Sequence, residues 1–328
     1  MSDADGEADR SGEIRALIIG ETGQVGGALV ERLGPELATG TRAPSEDPRA
    51  PRIDLAQLPE DPAPIASWLA PGRFDAVFVC GAMTWVDGCE ADAARAHLIN
   101  CLGPAVVART ARAAGARTVF VSTEYVFDGR GGPYSETDAP NPLSVYGQSK
   151  LDGERAVLAE DPDALVVRTT VVYGPEDRGK NFAYRLASEI AAGRRLRVPV
   201  DQVTSPTYNR DLAAAMVALV ARGVTGVVHV AGDEVMSRFD HARRVALAAG
   251  LPAAIDPIQT AALGQPAARP LDAGLDVRRL RALVPGITLH TVEQAVSHWT
   301  AHPRGRPWPD ERIEGRAARS ARLGDQNA

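Results

Sequence analysis

Along the chain, short and wholly apolar runs alternate with longer stretches in which apolar residues recur at helical spacing. The first run, residues 14–19, ends at Gly20; a helical pattern over residues 24–33 follows, then a second strand over 36–41. Further strand-length runs occupy residues 76–79, 118–121, 164–167 and 227–230, and helical patterns over 91–114 and 149–159 separate several of them. Apolar runs without polar alternation suit strands buried on both faces. Strands alternating with helices imply right-handed crossovers, so the predicted class is α/β, a doubly wound parallel sheet of the Rossmann kind. Past about residue 175 the alternation loosens, with Pro199, Pro206, Pro252, Pro257, Pro266 and Pro270 interrupting short elements. The expected organisation is a tail over 1–13, a nucleotide-binding domain over 14–175, a smaller substrate-binding domain over 176–300 that returns some elements to the first, and a mobile tail over 301–328.

Composition narrows the class without changing it. Hydrophobic residues are 45% and charged residues 24% of the 328-residue chain, an ordinary globular balance. A net charge of −6 argues against nucleic acid as a partner. No apolar run approaches the ~20 residues that span a bilayer, and the acidic start lacks a signal-peptide pattern, so no membrane partner and a cytoplasmic location are expected. Cys80, Cys89 and Cys101 have neither disulfide-framework count nor zinc-site spacing, and His97, His229, His241 and His290 are scattered. Reduced thiols and no metal are expected.

The turn after the first strand reads Gly20-Glu21-Thr22-Gly23-Gln24-Val25-Gly26. Glycines between a strand and a helix let the backbone approach a dinucleotide pyrophosphate, which the free N–H groups and dipole of the helix start then favour. The spacing is Gly-x-x-Gly-x-x-Gly, a weak signal that gains from its strand-turn-helix setting. At the end of the second strand, Thr39-Gly40-Thr41-Arg42 offers no carboxylate for a ribose 2′-hydroxyl, whereas the Arg42 guanidinium suits a 2′-phosphate. NADPH is therefore the expected cofactor.

Two later segments supply chemistry: Ser122-Thr123-Glu124-Tyr125-Val126-Phe127-Asp128-Gly129 and Tyr146-Gly147-Gln148-Ser149-Lys150. Tyr-x-x-x-Lys on a helix places both side chains on one face, where an ammonium would lower the phenol pKa and ready it to exchange a proton.

These segments resemble the extended short-chain dehydrogenase/reductases, and more narrowly the dTDP-4-dehydrorhamnose reductases. Further similarity lies in Glu136-Thr137-Asp138-Ala139-Pro140-Asn141-Pro142-Leu143, Lys150-Leu151-Asp152-Gly153-Glu154, Arg168-Thr169, Val172-Tyr173-Gly174, Asn181-Phe182, Pro206-Thr207 and Arg269-Pro270, so the resemblance runs from about residue 14 to about residue 299. It implies Tyr146 as proton donor, Lys150 on the nicotinamide ribose and Thr123 on the substrate oxygen. It also implies cofactor contacts from the glycine loop, Asp54, Leu55, Gly81, Ala82, Met83 and Asn100, and places Thr84, Glu124, Tyr125, Val171 and Asn181 at the sugar. The activity implied is NADPH-dependent reduction of the 4-keto group of a nucleotide-linked 6-deoxysugar. No motif fixes the oligomeric state; a homodimer is compatible.

Two departures bear on the sugar: Glu124 stands where such reductases usually carry Asp, and Val171 where they carry Trp. The same motifs occur in the regulatory β subunit of methionine adenosyltransferase, which implies the alternative of a non-catalytic NADP-binding partner protein. Nucleotide-sugar dehydratases of this fold place an Asp-Glu pair after the catalytic Thr. Glu124-Tyr125 here argues against elimination.

Overall fold

Strands β1 (Ala16–Ile19), β2 (Ala38–Thr41), β3 (Ala76–Val79), β4 (Arg117–Thr123) and β5 (Leu165–Thr169) join an edge strand, Gly226–His229, in one sheet of a computed structural model that describes residues 14–41 and 52–301. All neighbours are parallel, in the order Gly226–His229, β5, β4, β3, β1, β2. The connecting helices are α1 (Gln24–Leu33), α2 (Ala63–Trp68), α3 (Val86–Ala91), α4 (Ala93–His97), α5 (Gly103–Ala113) and α6 (Val145–Glu160).

Both faces of the sheet are buried because its strands are apolar without alternation. Ala16, Ile18 and Phe78 pack on Leu29 of α1 and on Leu212 and Met216 of the helix Asn209–Ala221. Leu17, Val77 and Phe120 pack on Val107 of α5 and Val157 of α6. Burying one such side chain completely contributes roughly 1.5–3 kcal/mol, so the two layers hold each crossover against the sheet. A separate core of Leu186, Val198, Val245, Val296 and Trp299 forms the smaller lobe. Its helices are Phe182–Ala191, Arg238–Ala248 and Val292–Thr300, and it holds the parallel pair Leu196–Pro199 and Ile255–Ile258. The chain leaves the sheet after β5, enters this lobe, and returns through Asn209–Ala221 to the edge strand.

Two expectations are corrected. The helical pattern over residues 91–114 is broken into α3, α4, a π-helical turn over Leu98–Leu102, and α5. Asp92 leaves the helical region (φ −142°) and its carboxylate accepts the Arg95 N–H at 3.0 Å, starting α4 afresh. The wide turn rotates Asn100 inward, a displacement no apolar period records. The helix expected over 149–159 begins earlier, at Val145, where the Ser144 hydroxyl accepts the Gly147 N–H at 3.2 Å.

The strand order reverses between β1 and β3. In open parallel sheets that crevice, at the carboxyl ends of the strands, is where ligands bind.

Candidate active site

The loops after β1 and β3 meet in this crevice. A Cβ on Gly20 (φ +92°) would lie 2.6 Å from the Gly81 nitrogen, and one on Gly26 would lie 2.3 Å from the Gly20 carbonyl oxygen. Only glycine permits this closure. Gly23 precedes α1 without any side-chain cap, and the first turn holds no acidic residue. The N–H groups at the start of α1 are thus open to an anion, with the helix dipole behind them. The Gln24 Oε1 is buried with no protein partner, and Val25 packs on the sheet core. This cradle fits the diphosphate of a dinucleotide. Thr22 Oγ1 accepts a hydrogen bond from the Arg178 guanidinium at 2.5 Å.

Around the cradle, a Cβ on Gly81 would lie 3.4 Å from Leu55 Cδ1, so Leu55 lines the same crevice, while exposed Asp54 accepts the Ala56 N–H at 3.0 Å. Asn100 is fully buried. Its amide accepts the Met83 N–H at 2.9 Å and donates to the Met83 carbonyl and the Ser149 hydroxyl, tying the loop Gly81-Ala82-Met83 to α6. Arg42 lies outside the described residues. A carboxylate does stand at the end of β2, but the glycine loop supplies it: Glu21 lies across Gly40, where a Cβ would overlap Oε2 at 1.1 Å.

Thr123, Glu124, Tyr125 and Tyr146 gather beside the loop after β3, where Met83 packs with Tyr125 and Tyr146. Thr123 ends β4; α6 carries Tyr146 beside it because residue 147 is glycine, where a Cβ would lie 2.2 Å from the Tyr125 carbonyl oxygen. The Tyr125 and Tyr146 rings meet edge to face at 5.3 Å. Thr123 Oγ1 accepts the Tyr125 N–H at 3.2 Å and donates to Glu124 Oε2 at 2.7 Å. Burial pushes the Glu124 carboxyl up, against the opposing pull of Thr123, Thr170 and the Arg238 cation. Burial first, and Glu124 second, also push the Tyr146 phenol up; Thr123 pulls it down. This corrects the expectation that Lys150 lowers it. A neutral phenol is the form that can donate a proton.

Lys150 is 2% exposed, its ammonium donating to the Val121 carbonyl at 2.7 Å and lying 3.9 Å from the Phe120 ring centroid. Burial pulls its pKa down to about 7, opposed by Glu154. One turn further along α6, Gly153 clears the Asn100 carbonyl, and Glu154 receives both the Arg168 guanidinium and, at 2.5 Å, the Ser122 hydroxyl.

The sugar-side candidates divide. Thr84 is exposed on the loop that carries Met83, and Met83 packs with Tyr125 against Tyr146. Val171 follows buried Thr170 with φ +38°, a strained backbone for a β-branched residue. Asn181 is turned to the backbone instead: it caps the helix Phe182–Ala191 by accepting the Ala183 and Tyr184 N–H groups and donates to the Gly174 carbonyl. Sequence reasoning missed half-buried Arg238, whose charge acts on Glu124 and Tyr125, and the pairing of Arg269 with Asp87 at 3.0 Å. Both arise from segments distant in sequence, and no local spacing announces them. No cluster of three metal-ligating side chains occurs among the described residues, and none of their helices is long and apolar enough to cross a membrane.

Known proteins are similar to this chain in sequence and fold. A dTDP-4-dehydrorhamnose reductase of Mycobacterium tuberculosis is 43% identical over 220 residues, covering 64% of this chain and 72% of that protein. Methionine adenosyltransferase 2 subunit beta of Xenopus tropicalis is 30% identical over 277 residues, 82% of each chain. The crystal structure of dTDP-4-dehydrorhamnose reductase from Bacillus anthracis in complex with NADP superposes with a TM-score of 0.77 at 28% identity, covering 87% of this chain and 98% of that one. The family described as the RmlD substrate binding domain matches residues 14–303, and this chain belongs to it.

Proposed function

We propose that this protein reduces the 4-keto group of a nucleotide-linked 6-deoxysugar, using NADPH. The observation that carries the reading is the convergence of the Thr123 and Tyr146 hydroxyls, with Tyr146 packed on Met83 of the loop that closes against the glycine loop. The named reductases that this chain is similar to, one of them in complex with NADP, support the substrate class and the cofactor.

NADPH, when bound, supplies the hydride. Gly20, Thr22, Gly23, Gln24, Val25 and Gly26 would hold its diphosphate at the start of α1, with Asp54, Leu55, Gly81, Ala82 and Met83 along its length and Arg42 toward the 2′-phosphate. Thr123 donates a hydrogen bond to the keto oxygen and polarises it. Tyr146, neutral because it is buried, gives its phenolic proton to that oxygen as negative charge develops there. Lys150 would bind the ribose hydroxyls. Thr84, Tyr125 and Val171 border the space for the sugar.

The test is NADPH oxidation by the purified chain against a panel of nucleotide-linked 4-keto-6-deoxysugars. Turnover supports the reading. No turnover across the panel, with stoichiometric recovery of a methionine adenosyltransferase, replaces it with the regulatory role suggested by the second relative.

A further inference from the structure

Thr123 has one hydroxyl proton and at most two acceptor positions. The Tyr125 N–H occupies one acceptor position, the 2.7 Å contact to Glu124 Oε2 occupies either the proton or the other position, and the Tyr146 hydroxyl and the keto oxygen share what is left. Which one depends on Glu124. If Glu124 is ionised it can only accept, so the Thr123 proton is committed to it and the keto oxygen loses that donor. An ionised Glu124 also sets a negative charge beside the oxygen on which negative charge must develop. If Glu124 is protonated it donates to Thr123, and the Thr123 proton is released toward the substrate.

We propose that Glu124 is a positioning residue that works in its protonated form, holding the proton of the Glu124–Thr123 hydrogen bond so that Thr123 can donate its own to the keto oxygen. This rests on the reductase reading above and deepens it. Glu124 is 4% exposed and has Thr123 from β4, Tyr125 from its own turn, Tyr146 from α6, Thr170 after β5 and Arg238 from the smaller lobe around it. The Arg238 cation favours the carboxylate; burial favours the acid and is the larger influence. Glu124 is not consumed: the hydride and the Tyr146 proton complete the alcohol, and Tyr146 recovers its proton from solvent.

The experiment compares the pH profiles of kcat/KM for wild type and Glu124→Gln, with NADPH affinity measured by fluorescence as the check on folding. Wild type is expected to lose activity as pH rises through the raised Glu124 pKa. The amide always donates to Thr123, so Glu124→Gln is expected to run roughly tenfold slower at low pH, an amide being the weaker donor, and to lack that limb. A limb kept at the same pH in Glu124→Gln overturns the proposal. So does a limb that survives unshifted in Thr123→Val, because Glu124 would then act without Thr123. Infrared difference spectra of the NADPH complexes, wild type minus Glu124→Gln at neutral pH, need no substrate. A protonated carboxyl band supports the proposal, and a carboxylate band overturns it even if no sugar nucleotide turns over.

Discussion

Glu154 on α6 and Arg168 on β5 meet through two hydrogen bonds of 2.9 and 2.6 Å, with side-chain exposures of 3% and 5%. The Ser122 hydroxyl completes the carboxylate's partners. Removing one member strands the other charge in the interior. Glu154→Ala should therefore destabilise the fold by about 3–5 kcal/mol, while Glu154→Leu with Arg168→Met should recover most of that loss. Urea denaturation of both variants measures it.

Tyr146→Phe removes one hydroxyl and little else, since the ring keeps its edge-to-face contact with Tyr125. Turnover should fall by ~10²–10⁴-fold, the usual worth of general acid catalysis, with NADPH affinity nearly unchanged. A steady-state rate close to wild type would remove Tyr146 from its role.

Cofactor choice should respond in opposite directions to two charges. Glu21 lies over Gly40 at the end of β2, where a 2′-phosphate would meet a like charge. Glu21→Gln should raise affinity for NADPH relative to NADH by roughly 0.5–1 kcal/mol, the scale of one exposed charge pair. Arg42→Ala should weaken NADPH selectively by about 1.5–3 kcal/mol, the scale of a lost charge-assisted hydrogen bond. Fluorescence titrations with both cofactors test the pair.

Lys150 carries a stability cost. Its pKa is pulled down to about 7, so the folded chain holds this proton less tightly than the unfolded chain. Between that value and the ordinary lysine range the unfolded state carries the extra proton, and this group's contribution to stability rises with pH. Below pH about 7 the cost is fully present. Lys150→Met should flatten that slope, raise Tm most near neutral pH and below, and abolish most turnover. Thermal melts across the pH range, run without cofactor, are the measurement.

Val171 sits at φ +38°, where a β-branched residue is strained by roughly 1–3 kcal/mol. Val171→Gly relieves that strain but costs about 0.5–1 kcal/mol in chain freedom. A net gain near 1 kcal/mol in denaturant stability is expected, and a loss would mean that the Val171 side chain contributes packing exceeding the strain.

The parts legible in the sequence are those where one residue type has one physical reason to be where it is. The runs at 76–79 and 164–167 could only be strands with both faces covered, and Gly20, Gly23 and Gly26 marked a backbone forced close to something. Asn100 and Glu124 were harder. Each was assigned a ligand contact, yet Asn100 is spent on the Met83 backbone and Glu124 folds back onto its own neighbour, Thr123. Adjacent residues do not face one another in any regular element, so that last contact leaves no trace in periodicity. Arg238 was invisible because it reaches Glu124 from more than a hundred residues away, across the lobe boundary.

The excursion between β5 and the edge strand Gly226–His229 limits how this protein can be re-engineered. A chimera joined at residue 175 would import not only a foreign smaller lobe but also a foreign strand to close the sheet and a foreign Asn209–Ala221 helix to cover α1. The smaller lobe is better transplanted as two cassettes, one before Asn209 and one after His229, leaving the returning helix and strand with the sheet they complete.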